Sequence, residues 1–173
     1  KPGVEETASR IQAAGGTARA LVQDVVDEGV WESLIADIKA HEGKLNVLVN
    51  NAGIAIGVSF MEMSLADWQR QNAINLDGVF LGCKHAAPLM AESGPSSIIN
   101  LSSVAGLQGA AGLSGYCATK GGVRLFSKAV ARECAAAGMD IRCNSVHPGI
   151  IDTEIWGREI AGIAKNNPEM MGE

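Results

Sequence analysis

The stretch "LNVLVNNAG" at residues 45–53 constrains the fold more than any other. It is an almost unbroken β-branched and aliphatic run that stops abruptly at asparagines and glycine. A run apolar at successive positions suits a strand buried on both faces, as in a parallel sheet. The theme recurs. "SSIINLSSVAG" (96–106) and "DIRCNSVHPG" (140–149) are apolar runs that end in small polar residues or Pro-Gly, and "ARALVQDV" (18–25) reads as a further strand. Between these lie segments with helical spacing. "VEETASRIQAAGG" stops at Gly15 and Gly16, while 27–43 puts Val30, Leu34, Ile35 and Ile38 on one face and ends at Gly43. Two longer helices are expected, over about 64–92 with Ser64 as N-cap and over about 113–137. This alternation with short links implies right-handed βαβ crossovers: an α/β fold, a parallel sheet covered by helices.

In such sheets ligands bind beyond the carboxyl ends of the strands. Four places qualify: Asp24-Val25, "NNAG" at 50–53, "NLSSVAG" at 100–106 and "VHPGIIDT" at 146–153. Composition narrows what the ligand is. A chain of 173 residues with 47% hydrophobic and 19% charged residues is expected to form one globular domain, 1–173. A formal charge of −5 argues against a nucleic-acid surface, which would be basic. No apolar run approaches the length of a membrane helix, and "KPGVEETASR" carries no signal-peptide core. Cys83, Cys117, Cys134 and Cys143 form no CxxC and pair with no histidine at zinc-finger spacing. They read as free thiols in a reducing cytoplasm, and no metal site is expected.

"GYCATKGG" (115–122) places Tyr116, the only tyrosine, four residues before Lys120. On a helix these two share a face. An ammonium beside a phenol stabilises the phenolate and lowers its pKa. A tyrosine tuned this way takes a proton from an alcohol or returns one to a carbonyl. Ser103 stands thirteen residues earlier, at the end of an apolar strand, where its hydroxyl suits the ligand crevice. Such a hydroxyl hydrogen-bonds a reacting oxygen. Ser102 is the better candidate for a turn role. By themselves YxxxK is a common chance pair and a serine at a strand end an ordinary turn residue.

Asn50-Asn51-Ala52-Gly53, Asn75 in "INLDGVF", Ser103, the Tyr116–Lys120 pair and "HPGIIDT" together resemble the short-chain dehydrogenase/reductase family, in order over roughly residues 4–155. The resemblance implies a Rossmann-like doubly wound parallel sheet. It makes Tyr116 the acid/base, Lys120 the group that lowers its pKa and holds the nicotinamide ribose, and Ser103 the residue orienting the substrate oxygen. Asn75 would hold a water with its backbone as a proton relay. The cofactor would be NAD or NADP, with NAD ahead. Asp24 and Val25 would meet the adenine, and Asn51, Ala52 and Gly53 would pass along the adenosine ribose. Ile151 and Thr153, after Pro148 and Gly149, would hold the carboxamide and phosphate side of the nicotinamide. Asn50 reads as structural, and Pro148-Gly149 is equally compatible with a plain turn.

The sequence lacks the family's TGxxxGxG phosphate turn, its first two strands and its last strand, so a fragment of a longer protein is expected. Cys117 stands where the family more often has serine. The implied activity is NAD(P)-dependent interconversion of a secondary alcohol and a ketone by a cytoplasmic homo-oligomer, dimer or tetramer, with a flavour of hydroxysteroid and cyclic-alcohol dehydrogenases. The alternatives are a 3-oxoacyl-[acyl-carrier-protein] reductase and a non-catalytic binding protein of the same fold. The carrier-protein reading is disfavoured by the acidic balance of 154–173, where Arg158 and Lys165 face Glu154, Glu159, Glu169 and Glu173. A serine hydrolase would need GxSxG, which "GLSG" does not supply. Ile155 and Trp156 are candidates for an apolar substrate wall or for core packing. His147 reads as a packed or pocket residue, His41 and His85 as solvated, and Trp31 and Trp68 as packing residues.

Overall fold

The structure, a computed structural model, describes residues 2–149 together with 151, 153 and 155. Three parallel strands form the sheet: β1 (Val47–Asn50), β2 (Ser96–Leu101) and β3 (Ile141–Val146), in the order β1-β2-β3. Val49 pairs with Ile99 and Ile98 with Cys143, so the alternation of the three strands is in phase. The helices are α1 (Pro2–Ala13), α2 (Glu28–His41), α3 (Leu65–Asn72), α4 (Gly78–Glu92) and α5 (Ser114–Ala136). Between α3 and α4 the chain makes a π-turn, Ala73–Asp77, so 65–92 is one helical rod with a single widened turn.

The helix boundaries follow from capping. Asp27 Oδ1 accepts from Val30 N at 3.1 Å, and Ser64 Oγ accepts from Asp67 N at 3.0 Å. Gly15 and Gly43 take φ of +83° and +71° after α1 and α2, a backbone that favours glycine. Leu48 of β1, Ile98 of β2, and Ile141 and Cys143 of β3 pack against Val79, Cys83, Ala86 and Met90 of α4 and Val123 and Cys134 of α5. Ile98 and Val123 are fully buried. Asn50 Nδ2 donates to Asn100 Oδ1 at 2.8 Å, so Asn50 does tie β1 to β2 as expected.

Two sequence expectations need correction. Residues 18–25 form no strand: a strand exists through its ladder partner, and no described strand lies beside this segment. Nor is the 45–53 run buried on both faces, since Val47 and Val49 are 56% and 52% exposed. The cause is topological. Strand order advances one way from β1 to β3, and right-handed crossovers then place α4 and α5 on the same side. The opposite face carries Val47, Val49 and Val146, all exposed.

Candidate active site

The carboxyl ends of β1, β2 and β3 converge with the first half of α5. After β1 the backbone of 51–56 is clamped from the α3–α4 rod. Asn75, in the π-turn, accepts from Ile54 N with Oδ1 and donates to Ile54 O with Nδ2, both at 2.8 Å. Its Nδ2 also reaches Thr119 Oγ1 of α5 at 3.1 Å. Gln71, one turn earlier, accepts from Ile56 N at 3.1 Å. π-turns of this kind are frequent at functional sites, because the extra residue redirects side chains and backbone carbonyls. Gly53 lies against Asn75 and Lys120: a Cβ there would stand 3.3 Å from Asn75 Oδ1 and 3.4 Å from Lys120 Nζ.

After β2 the two serines divide the work. Ser102 Oγ donates to Lys120 O at 2.8 Å and so docks α5 on the strand end, the turn role expected of it. Gly106 makes this approach possible, since a Cβ there would sit 2.6 Å from that same carbonyl. Ser103 caps the short 3-10 turn Val104–Gly106, accepting from Ala105 N at 3.1 Å, and its hydroxyl is hydrogen-bonded to the Tyr116 side chain. Tyr116 and Lys120 point from one face of α5 and are 4% and 3% exposed. Lys120 Nζ donates to Leu101 O at 2.7 Å and lies 5.6 Å from the centre of the Tyr116 ring.

Burial dominates the electrostatics. It raises the Tyr116 pKa above its ordinary value, with the Ser103 hydrogen bond acting against it and Cys117 adding slightly. Burial lowers Lys120 from 10.5 to about 8. The sequence argument expected Lys120 to depress the phenol directly. In the structure its ammonium is committed to the Leu101 carbonyl and faces the ring, and it is not among the groups that shift Tyr116. Burial thus favours the neutral form of both groups, the protonated phenol and the uncharged amine.

Two cavities meet here. One, of about 240 Å³, is lined by Asn51, Ser103, Tyr116, Lys120, Pro148, Gly149, Ile151 and Thr153. The other, of about 160 Å³, is lined by Val25, Asn51 and Ala52, with Gln23 and Trp31. Asn51 belongs to both. One cavity holds Ser103, Tyr116 and Lys120, the other has a mixed polar and apolar lining, and both lie at the strand ends where a dinucleotide would be laid in a sheet of this kind. Gly53 lines a separate cavity with Ile54, Arg70 and Ile155. Asn75 lines none of these cavities and is fully buried. Asp24 does not join its expected neighbours; its Oδ1 accepts from Val26 N at 3.2 Å in the turn before α2.

Trp31 was legible only as a packing residue. It is more: its Nε1 donates to Val25 O at 2.9 Å, fixing Val25 at the cavity wall that the indole also lines. Gly78 lets that wall form, since a Cβ there would stand 2.9 Å from Val25 Cγ2. The signal in the sequence was the pair of bulky and absent side chains, but nothing in the spacing joins them. His85 departs from expectation in being largely buried and bonded to Glu28, whereas His41 is 60% exposed. Trp68 is exposed at 39% rather than packed. All four cysteines are free, as expected; Cys83, Cys134 and Cys143 are buried and Cys117 is partly exposed. Trp156 and the charges counted over 154–173 lie outside the described residues.

Comparison with known proteins agrees with this geometry. The short chain dehydrogenase family model matches residues 1–163. The NADP-dependent (R)-specific alcohol dehydrogenase of Lentilactobacillus kefiri is 39% identical over 147 residues, 83% of this chain and 58% of that protein. Cyclopentanol dehydrogenase of Comamonas testosteroni is 40% identical over 148 residues, 86% of this chain and 58% of that protein. A crystal structure assigned to the short-chain dehydrogenases/reductases, from Burkholderia xenovorans, superposes with a TM-score of 0.86 at 32% identity, covering 95% of this chain and 64% of that one. The chain therefore spans about 58% of the length of the curated relatives it matches. Strand ends, helix pairing and sequence agree, and the chain belongs to the short-chain dehydrogenase family.

Proposed function

We propose that the protein carrying this chain is an NAD(P)-dependent oxidoreductase that interconverts a secondary alcohol and a ketone. The observation that carries the reading is the convergence of Ser103, Tyr116 and Lys120 on one cavity, which shares Asn51 with a second one bounded by Val25 and Trp31. The nicotinamide, when bound, supplies or accepts the hydride. The chain's own residues handle the proton and the geometry. Ser103 Oγ hydrogen-bonds the substrate oxygen. In the reducing direction the Tyr116 hydroxyl gives its proton to that oxygen, and its raised pKa keeps the proton available for transfer. In the oxidising direction the tyrosinate, favoured as pH rises, takes the alcohol proton. Lys120, which donates to Leu101 O beside the Tyr116 ring, holds the nicotinamide ribose. Asn75 fixes the 51–56 backbone, and its own backbone in the π-turn holds the relay water.

The substrate class follows from the relatives' names, which include alcohol, cyclopentanol and 3-alpha-(or 20-beta)-hydroxysteroid dehydrogenases. We favour a secondary alcohol on an apolar, cyclic frame. One relative is NADP-dependent, so both nicotinamide cofactors belong in the assay. The proposal includes a homo-oligomer in the cytoplasm; Phe80 on α4 and Leu125 on α5, 46% and 70% exposed, are apolar side chains that a subunit contact would cover. Tyr116→Phe tests the reading. It is expected to lower turnover of a secondary-alcohol panel, read by nicotinamide absorbance, by about a hundredfold or more. Cofactor affinity, read by fluorescence, is expected to stay near wild type. Undiminished turnover in that variant refutes the acid/base assignment.

A further inference from the structure

β2 and β3 remain joined beyond their last ladder residues. Ser102 N–H donates to Val146 O at 2.8 Å and Val104 N–H to Pro148 O at 3.0 Å. Pro148 has no N–H to return. Beside it a side chain adds a separate link: His147 Nδ1 lies 3.1 Å from Ser103 O, and its Nε2 lies 2.9 Å from Ser145 Oγ. A carbonyl only accepts, so Nδ1 carries the hydrogen, and in the neutral ring Nε2 accepts from the Ser145 hydroxyl. The same Ser103 carbonyl also accepts from Gly106 N at 2.9 Å, so both its lone pairs are engaged.

The consequence falls on Ser103. Its peptide is gripped by His147 and Gly106, while its Oγ is held by Ala105 N and bonded to Tyr116. His147 does not line the cavity that Ser103 lines; it stands behind it. We propose that His147 is a positioning residue for Ser103: the Nδ1–H tautomer, required by the Ser103 carbonyl and matched at Nε2 by the Ser145 hydroxyl, holds the Ser103 peptide so that its hydroxyl addresses the reacting oxygen. The kinetic part of this inference rests on the oxidoreductase reading; the tautomer does not.

The test joins kinetics to a spectroscopic readout on the protein. Nitrogen-15 correlation spectra of the His147 ring are expected to show the Nδ1–H tautomer, and an Nε2–H tautomer overturns the proposal. His147→Leu is expected to lower kcat about tenfold, the cost of a small misplacement, with cofactor affinity unchanged. His147→Asn, whose amide offers a donor near the Nδ1 position, is expected to recover most of that loss. Equal losses in the two variants, or a kcat for His147→Leu equal to wild type, overturn it. Should His147→Leu fail to fold, His147→Gln, whose amide reaches the Nε2 position rather than Nδ1, takes its place: a kcat well below that of His147→Asn supports the proposal, and equal kcat values in the two sink it. Absence of any turnover in the wild-type protein would instead defeat the oxidoreductase reading, and the tautomer spectrum would still decide the role of His147.

Discussion

Replacing Lys120 by methionine is expected to disable the site and yet stabilise the protein at neutral pH. The ammonium is 3% exposed, and burial lowers its pKa from 10.5 to about 8. A displacement of about 2.5 units corresponds to about 3 kcal/mol of native-state penalty for the charge. Methionine keeps most of the volume and removes the charge. It also leaves Leu101 O without its 2.7 Å donor, which costs about 1 kcal/mol. The net gain is therefore about 2 kcal/mol at pH 7. Its pH dependence is the sharper test. Below pH 8 both native and unfolded wild-type chains hold the Lys120 proton and the penalty is complete. Between 8 and 10.5 the unfolded chain binds the proton more than the native one, so wild-type stability rises with pH. Roughly half the penalty has gone by about pH 9.5, and the advantage of Lys120→Met shrinks towards zero. Urea unfolding of both proteins across this range measures it. A stability difference that does not change with pH would refute the claim that burial strains this ammonium.

Two further substitutions probe the scaffold. Gly82→Ala would drive a Cβ into Asn50 Oδ1 and to 3.1 Å from the Trp31 ring, so it is expected to cost about 1–3 kcal/mol in thermal melts and to loosen the β1 end. Asn75→Ala would leave Ile54 N and O without their partners; it is expected to cost about 2 kcal/mol or more and to speed hydrogen exchange at the Ile54 amide, and an unchanged exchange rate would show that Asn75 does not clamp the loop.

The helices were legible because their signals are local. Gly15 and Gly43 end α1 and α2 through their own φ, and Ser64 caps α3 through its own hydroxyl. Strands are relational, and there the reading weakened. Residues 18–25 have strand composition but no ladder partner, and Val47 and Val49 have core chemistry on a face that no described helix covers. At the site, residue identity and spacing brought Ser103, Tyr116 and Lys120 to one cavity. The direction of the Lys120 ammonium was beyond spacing, because it is set by Leu101 O on another element. Trp31 was missed for the same reason: its hydrogen bond to Val25 crosses a loop that no period describes. Asp24 makes a bond that spacing alone did not show: its Oδ1 accepts the Val26 N–H two residues on, as short carboxylates at the start of a turn do.

The π-turn at Ala73–Asp77 makes the rod from Leu65 to Glu92 a helix with a phase slip. An α-helix advances about 100° per residue, so one supernumerary residue rotates everything before it relative to everything after it. Gln71 thereby faces the loop at Ile56, while Val79 and Cys83 face the sheet. Deleting a single residue from this turn would restore a regular helix of better hydrogen-bond geometry. It would also swing the 65–72 segment by about a quarter-turn off the loop it braces. The irregular turn is a fixed offset that lets one helix serve the hydrophobic core at one end and the reacting edge at the other.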